Sequence, residues 1–198
     1  MKKVKFTTAI LGLLLISQIA NSATITNGNF GSGLAGWSAE GNVTVADGYA
    51  LLNTFSQVDT SAYGGTNGSI LSQTVNGLAG DVISFSYNFF TIDYMPYNDF
   101  AIVVGDDLYL ISDVSAVGGS FSTGWQNFTF TALNDFADLK FIVSNHTDTA
   151  NDSIIAIDDI TISSDSVSAV PVPAAAWLFG TGLMGLLGYR RRAQPLAA

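Results

Sequence analysis

The chain predicts an all-β fold, a two-sheet β-sandwich over residues 23–165, and three observations carry that reading. Short runs rich in Val, Ile, Thr, Phe and Tyr recur along this stretch, separated by Gly, Asn, Asp and Ser. In the strongest run, Val82–Phe90, the apolar Ile83, Phe85, Tyr87 and Phe89 alternate with Ser84, Ser86 and Asn88. That period of two belongs to a strand with one buried face. No stretch of the body repeats apolar residues at the spacing of an amphipathic helix.

In chain order the expected strands are Val43–Ala46, Ala50–Asn53, Ser69–Val75, Val82–Phe90, Phe100–Val104, Asp107–Ser112, Trp125–Thr131, Leu139–Ser144 and Ile154–Ser163. Each is an apolar or β-branched run bounded by turn residues, and Lys140 alternates with Leu139 and Phe141, which puts it on the solvent side of its strand. A body of this length can bury a single core, and this many strands suit two packed sheets. The chain has no Cys, so stability must come from that core, or from a bound metal, without disulfides.

Both ends read as targeting segments. Lys2, Lys3 and Lys5 precede an apolar run from Ala9 to Ile16, and the small residues Ala20-Asn21-Ser22-Ala23 follow. This is the pattern of a secretory signal peptide over residues 1–22, cleaved after Ser22 or, alternatively, after Ala23. At the other end a small-residue linker, residues 166–170, leads into a unit over residues 171–193, with residues 194–198 as a short tail. Pro171 and Pro173 cannot continue a helix, so one is expected to start just after them. From Ala174 to Tyr189 the chain is uncharged, which as a helix gives about 24 Å against a hydrocarbon core of ~30 Å. Arg190, Arg191 and Arg192 favour a C-terminus held in the cytoplasm. On physics alone this is a short single-span anchor.

The order Val170-Pro171-Val172-Pro173-Ala174-Ala175, apolar span, then Arg190-Arg191-Arg192 resembles the PEP-CTERM sorting signal, in the variant that reads Val-Pro-Leu-Pro-Ala. Val172 stands where that variant has Leu. The resemblance implies recognition by an exosortase-type membrane protease and transient residence in the inner membrane through the C-terminal helix. Delivery to the cell surface or extracellular matrix of a Gram-negative, exopolysaccharide-producing bacterium would follow.

Three segments of the body resemble galactose-binding-like jelly rolls, which include many carbohydrate-binding modules. They are Asn27-Gly28-Asn29-Phe30-Gly31-Ser32-Gly33-Leu34-Ala35-Gly36-Trp37, Trp125-Gln126-Asn127-Phe128-Thr129-Phe130-Thr131-Ala132 and Ile157-Asp158-Asp159-Ile160-Thr161-Ile162. The resemblance sharpens the fold to a jelly-roll sandwich and makes Trp37 and Trp125 core residues, the alternative being sugar platforms. The family's acid that can contribute to a structural calcium site is missing here, which weakens that carry-over. Where the family commonly has an acid for that site this chain has Gly31.

Charge excludes some partners. Of the 7 Lys and Arg, only Lys140 lies between the targeting segments, against all 16 acids of the chain. Phosphate neutralisation cannot work on such a surface, so nucleic acid is not an expected partner. Adhesion to an anionic membrane surface is excluded on the same ground. His146 is the sole histidine, which with the absence of Cys removes soft-metal and Cys/His chemistry.

The candidate sites are built on oxygen. If Ile160 and Ile162 face the core, strict alternation puts Asp158 on the same face, where a carboxylate needs a cation or several hydrogen bonds. Asp158, with Asn27, is the candidate calcium ligand; alternatively Asp158 sits at the strand's rim and caps nearby backbone N–H groups. The loop Asp93-Tyr94-Met95-Pro96-Tyr97-Asn98-Asp99 offers Tyr94 and Tyr97 for stacking on sugars and Asp93, Asn98 and Asp99 for their hydroxyls. It also reads as a Pro-set turn whose rings cover a sheet edge. The polar loop Asn145–Asp152 has several oxygen ligands without the order of an EF-hand, and reads as a solvated turn, with cation binding as the alternative.

The expected function is that of an exported, non-catalytic surface or matrix protein that binds or organises exopolysaccharide. The alternatives are a secreted glycoside hydrolase using a carboxylate pair and an unprocessed protein anchored in the inner membrane. Adjacent acids such as Asp106-Asp107 and Asp158-Asp159 point to opposite strand faces, which argues against either as a hydrolytic pair.

Overall fold

The computed structural model describes residues 23–118, 121–164 and 180–182. The signal peptide, the linker and the sorting residues Val170–Ala175 and Arg190–Arg192 lie outside the described residues. The body forms eleven strands: β1 (Ser38–Glu40), β2 (Asn42–Ala46), β3 (Tyr49–Asn53), β4 (Val58–Asp59), β5 (Asn67–Gly77), β6 (Asp81–Thr91), β7 (Phe100–Val104), β8 (Leu108–Asp113), β9 (Gln126–Thr131), β10 (Phe136–Ser144) and β11 (Ser153–Ser164). A single helical turn, α1 (Val114–Val117), is capped by the Asp113 side chain, which accepts the Ala116 N–H.

All nine expected strands are present, within a few residues of the expected ends. They pair antiparallel into two sheets, β1-β5-β10-β7-β8 with β4 also on β5, and β2-β3-β11-β6-β9. After β8 the chain changes sheet at every connection, so the last strand, β11, inserts between β3 and β6 at the middle of its sheet.

The core lies between the sheets because each long strand keeps one apolar face. Ile83, Phe85 and Phe89 of β6 point at Leu71 of β5 and Leu139, Phe141 and Val143 of β10, all fully buried or nearly so. Phe85 meets Phe141 edge to face, with ring centroids 4.9 Å apart, and stacks on Phe128 at 5.3 Å. Trp37 and Phe30 extend this aromatic cluster towards the N-terminal loop. A smaller cluster of Ile70, Ile102 and Ile142 sits on the outer face of the β5-β10-β7 region, where Val58 and Tyr63 pack against it.

The expected face of Asp158 is corrected by a bulge. Asp158 pairs with Ser86, but the next partners of β11 and β6 are Thr161 and Ser84, so β11 carries one residue extra. Asp159 absorbs it in the left-handed conformation, φ 52°. Ile155 and Ile157 face the core before the bulge, and Ile160 faces it after, while Asp158 stays on the outer face with Ser86. Strict alternation fails there because an extra residue reverses the parity. The bulge also frees the Ile160 N–H to donate to Gly28 O at 3.0 Å. A Cβ on Gly28 would stand 2.1 Å from Ile160 O, so only glycine fits beside this strand.

Two substitutions test the packing by denaturant melting of the full chain. Phe85→Ala, which removes the ring that contacts both Phe141 and Phe128, is expected to cost about 3–5 kcal/mol. Gly28→Ala is expected to lower the midpoint as well, because the obstacle is main chain and cannot rotate away.

Candidate functional site

The two expected sites and the two expected core tryptophans separate in the structure. Trp37 is 8% exposed and its Nε1 donates to Asn27 O at 3.2 Å. Trp125 overturns the expectation of a core residue, since it is 48% exposed. It precedes β9, beyond the last residue pair that β9 makes with β6, so its ring is free to leave the sandwich interior.

That ring lies on the outer face of the five-stranded sheet. Trp125 stands edge to face against Tyr49 of β3, with centroids 5.3 Å apart, although β11 and β6 lie between β3 and β9. The strands beneath present small residues outward: Ala156 and Asp158 from β11, Ser84, Ser86 and Asn88 from β6. Ala156 is buried although it points away from the main core. The polar groups of this floor are ordered by cross-strand bonds. Ser86 Oγ donates to Asn127 Oδ1 at 3.1 Å, the Ser84 and Thr129 hydroxyls meet at 3.0 Å, and Ser122 Oγ donates to Asn88 Oδ1 at 2.7 Å. One row further along, Phe90 is 40% exposed beside Ile154.

Asp158 therefore belongs to this surface. Its Oδ1 accepts the Asp159 N–H at 2.8 Å. Partial burial raises its carboxyl above the ordinary carboxylate range, with the Asp159 charge adding to the effect. Asn27, the other expected calcium ligand, is spent on the N-terminal loop. Its Nδ2 donates to Gly33 O at 2.8 Å and Ala35 O at 3.1 Å, and its Oδ1 accepts the Ser32 N–H at 3.1 Å. With Asp158 on the outer face and Asn27 engaged in this loop, the geometric ground for pairing them as calcium ligands falls away.

The loop from Asp93 to Asp99 divides in a way its composition does not show. Tyr94 is exposed and meets Tyr97 edge to face at 5.5 Å, next to a cis Met95–Pro96 bond. Asp93 and Asp99 turn inward instead of towards a sugar. Asn98 is occupied, its Nδ2 donating to Asp113 Oδ2 at 3.1 Å and its Oδ1 accepting the Ser115 N–H at 3.0 Å. The expected combination of two tyrosines with three exposed polar partners is thus reduced to the tyrosines.

Asp99 is fully buried. Its Oδ1 accepts the His146 N–H at 3.0 Å and its Oδ2 accepts the Ser153 hydroxyl at 2.8 Å. Burial pushes its carboxyl up to about 7, against these two hydrogen bonds and with added repulsion from Asp93 and Asp148. A hollow of about 430 Å³ along β1 and β5 is lined by Trp37 and Gln73 among others. It offers little for recognition, because Trp37 is edge-buried and both polar atoms of Gln73 are bonded to the Thr26 and Gly36 main chain.

No family model matches the chain, and no curated protein matches it in sequence. Among solved structures it is similar to a carbohydrate-binding domain described as "CBM4 structure and function", at 17% identity and a TM-score of 0.38 over 70% of this chain and 98% of that one. It is similar to the K3 cleaved adhesin domain of Lys-gingipain from Porphyromonas gingivalis, at 14% identity and a TM-score of 0.44 over 72% and 100%. A third is TmCBM61 in complex with β-1,4-galactotriose, at 16% identity and a TM-score of 0.40 over 73% and 100%.

The Asp99 environment gives a pH test with a fixed sign. Its folded carboxyl titrates near 7 and its unfolded one near 3.8, so the folded state holds a proton that the unfolded chain releases between those values. The associated stability is complete below the unfolded value and is lost as pH rises through 7. Asp113 titrates below this window, since hydrogen bonds from Ser115, Ala116 and Asn98 outweigh its burial. In chelator, the melting temperature of the full chain is expected to fall from pH 5 to pH 8. Asp99→Asn is expected to flatten most of that slope; the raised carboxyls of Asp93 and Asp158 account for the remainder.

Proposed function

We propose that this protein is a non-catalytic glycan-binding protein of the cell surface or exopolysaccharide matrix, and that it holds polysaccharide on the outer face of the five-stranded sheet. The observation that carries the reading is Trp125. A large ring left 48% exposed, propped against Tyr49 over a floor of small side chains, is a surface for stacking on pyranose faces. Asp158, Ser86 and Asn127 stand around it as hydroxyl-bonding partners already held in place by their neighbours. The face is open rather than a closed pocket, which suits a long chain passing across several strands. The excess of acids favours neutral glycans over anionic ones, because like charges across an interface are repulsive.

Export and sorting complete the proposal. The signal peptide would deliver the body across the inner membrane, and the tail from Pro171 to Arg192 would present it to an exosortase-type protease. Mass spectrometry of the mature protein tests this part. A C-terminus lying before Arg190 is expected, and a product that keeps Arg190–Arg192 would show that the tail remains as an anchor.

Binding of the full chain to arrayed neutral polysaccharides, followed by titration calorimetry, tests the platform. Trp125→Ala is expected to cost about 2 kcal/mol of binding, the scale of an interface hot spot. Its effect on the melting midpoint should be small, because the ring is half in solvent. Undiminished binding by Trp125→Ala and Tyr49→Ala would move the site elsewhere. Sugar release that a single carboxylate substitution abolishes would make the protein a hydrolase.

A further inference from the structure

A different part of the molecule has the makings of a metal site. The β6–β7 loop and the β10–β11 loop meet at one end of the sandwich, where Asp93, Asp99 and Asp148 lie close enough for their charges to repel. Asp93 is 7% exposed. Its Oδ1 accepts the Tyr94 N–H at 2.8 Å, but its Oδ2 is sealed from solvent and has no hydrogen-bond partner. Asp148 Oδ1 is sealed and unpartnered in the same way, and so is Oδ1 of the fully buried Asn145 at the start of the second loop.

An orphaned buried acceptor forfeits its hydration without replacement, and the cost is greater when it is charged. Here two carboxylate oxygens carry that cost beside a third carboxylate. No cation of the protein relieves it, since Lys140 is the sole Lys or Arg among the described residues and it sits on the outer face of β10. The nearby His146 ring is turned to Phe100 and to the Thr147 hydroxyl.

We propose that a calcium ion binds between Asp93 and Asp148, taken by their free carboxylate oxygens and by main-chain oxygens of the 145–152 loop. The Asn151 side chain, whose amide N–H faces Asp93 in the absence of the ion, turns over to offer its carboxamide oxygen. The donor set is all oxygen and lies on two loops, which suits the six to eight flexible ligands of calcium better than the strict octahedron of magnesium. Asp99 has both oxygens engaged with His146 and Ser153, so it stands behind the ion without ligating it. Among the described residues no three Asp, Glu or His side chains converge on one point, so amide and main-chain oxygens and water would fill the remaining positions. The ion would fasten together two loops that otherwise meet as like charges, in a protein without disulfides. The inference stands independently of the glycan reading.

Terbium tests it, because Tyr94 adjoins Asp93 and can sensitise emission from a lanthanide held there. The full chain in detergent is titrated with terbium under tyrosine excitation, then with calcium as competitor. One saturable emission that calcium displaces is expected. It should fall at least tenfold in Asp93→Asn and in Asp148→Asn, and remain in Asp158→Asn and Trp125→Ala. Calcium should raise the melting temperature of the unaltered chain and leave that of Asp148→Asn unmoved. Absence of saturable emission overturns the proposal. So does emission that survives both Asp93→Asn and Asp148→Asn, or that only Asp158→Asn abolishes. Asp148 lies in a surface loop, so its variant remains informative if Asp93→Asn does not fold.

Discussion

The edge-to-face contact of Phe85 with Phe141 is the constraint on which the sandwich depends. It joins β6 of one sheet to β10 at the middle of the other, and no covalent bridge backs it up. Phe128 braces Phe85 from β9, and Trp37 braces Phe141 from the N-terminal loop. Trp37 is seated by its bond to the Asn27 carbonyl, and Asn27 shapes the loop that carries it. The sheets are thus held at a fixed separation by rings, and the outward faces are free to differ. One is partly covered by Val58 and Tyr63 over a second apolar cluster; the other is left open with Trp125 on it.

Much of this was legible in the chain. The nine longer strands follow from apolar alternation and turn residues, and alternation along Val82–Phe90 correctly separates core from surface. The added strands β1 and β4 are three and two residues long and exist only because β5 offers them an edge, which no periodicity announces. Parity failed at Asp158 because a bulge requires only a residue able to adopt positive φ, and Asp159 carries no glycine to flag it. The face of Trp125 was hidden for a related reason. A residue just past the end of a pairing ladder is no longer bound to the strand's alternation.

The inward turn of Asp93 and Asp99 was the least legible feature. Their composition within the loop suits a polar exposed surface. Their burial is created by His146, Asp148 and Ser153, which arrive roughly fifty residues later in the chain. Sequence patterns report local geometry, and this arrangement is a meeting of two distant loops. The tyrosines of the same loop remain outside, so a single turn divides its residues between two environments.

The placement of β11 has a consequence for how the molecule is made. It is the last strand of the body to leave the ribosome, yet it lies between β3 and β6, and its Ile160 N–H closes the N-terminal loop at Gly28. Until it arrives, β3 and β6 have no common neighbour and the floor of the open face does not exist. A chain that lacks β11 therefore cannot complete the five-stranded sheet. Closure of that sheet waits for the 12 residues Ser153–Ser164, so the sandwich is complete only once its last strand is in place.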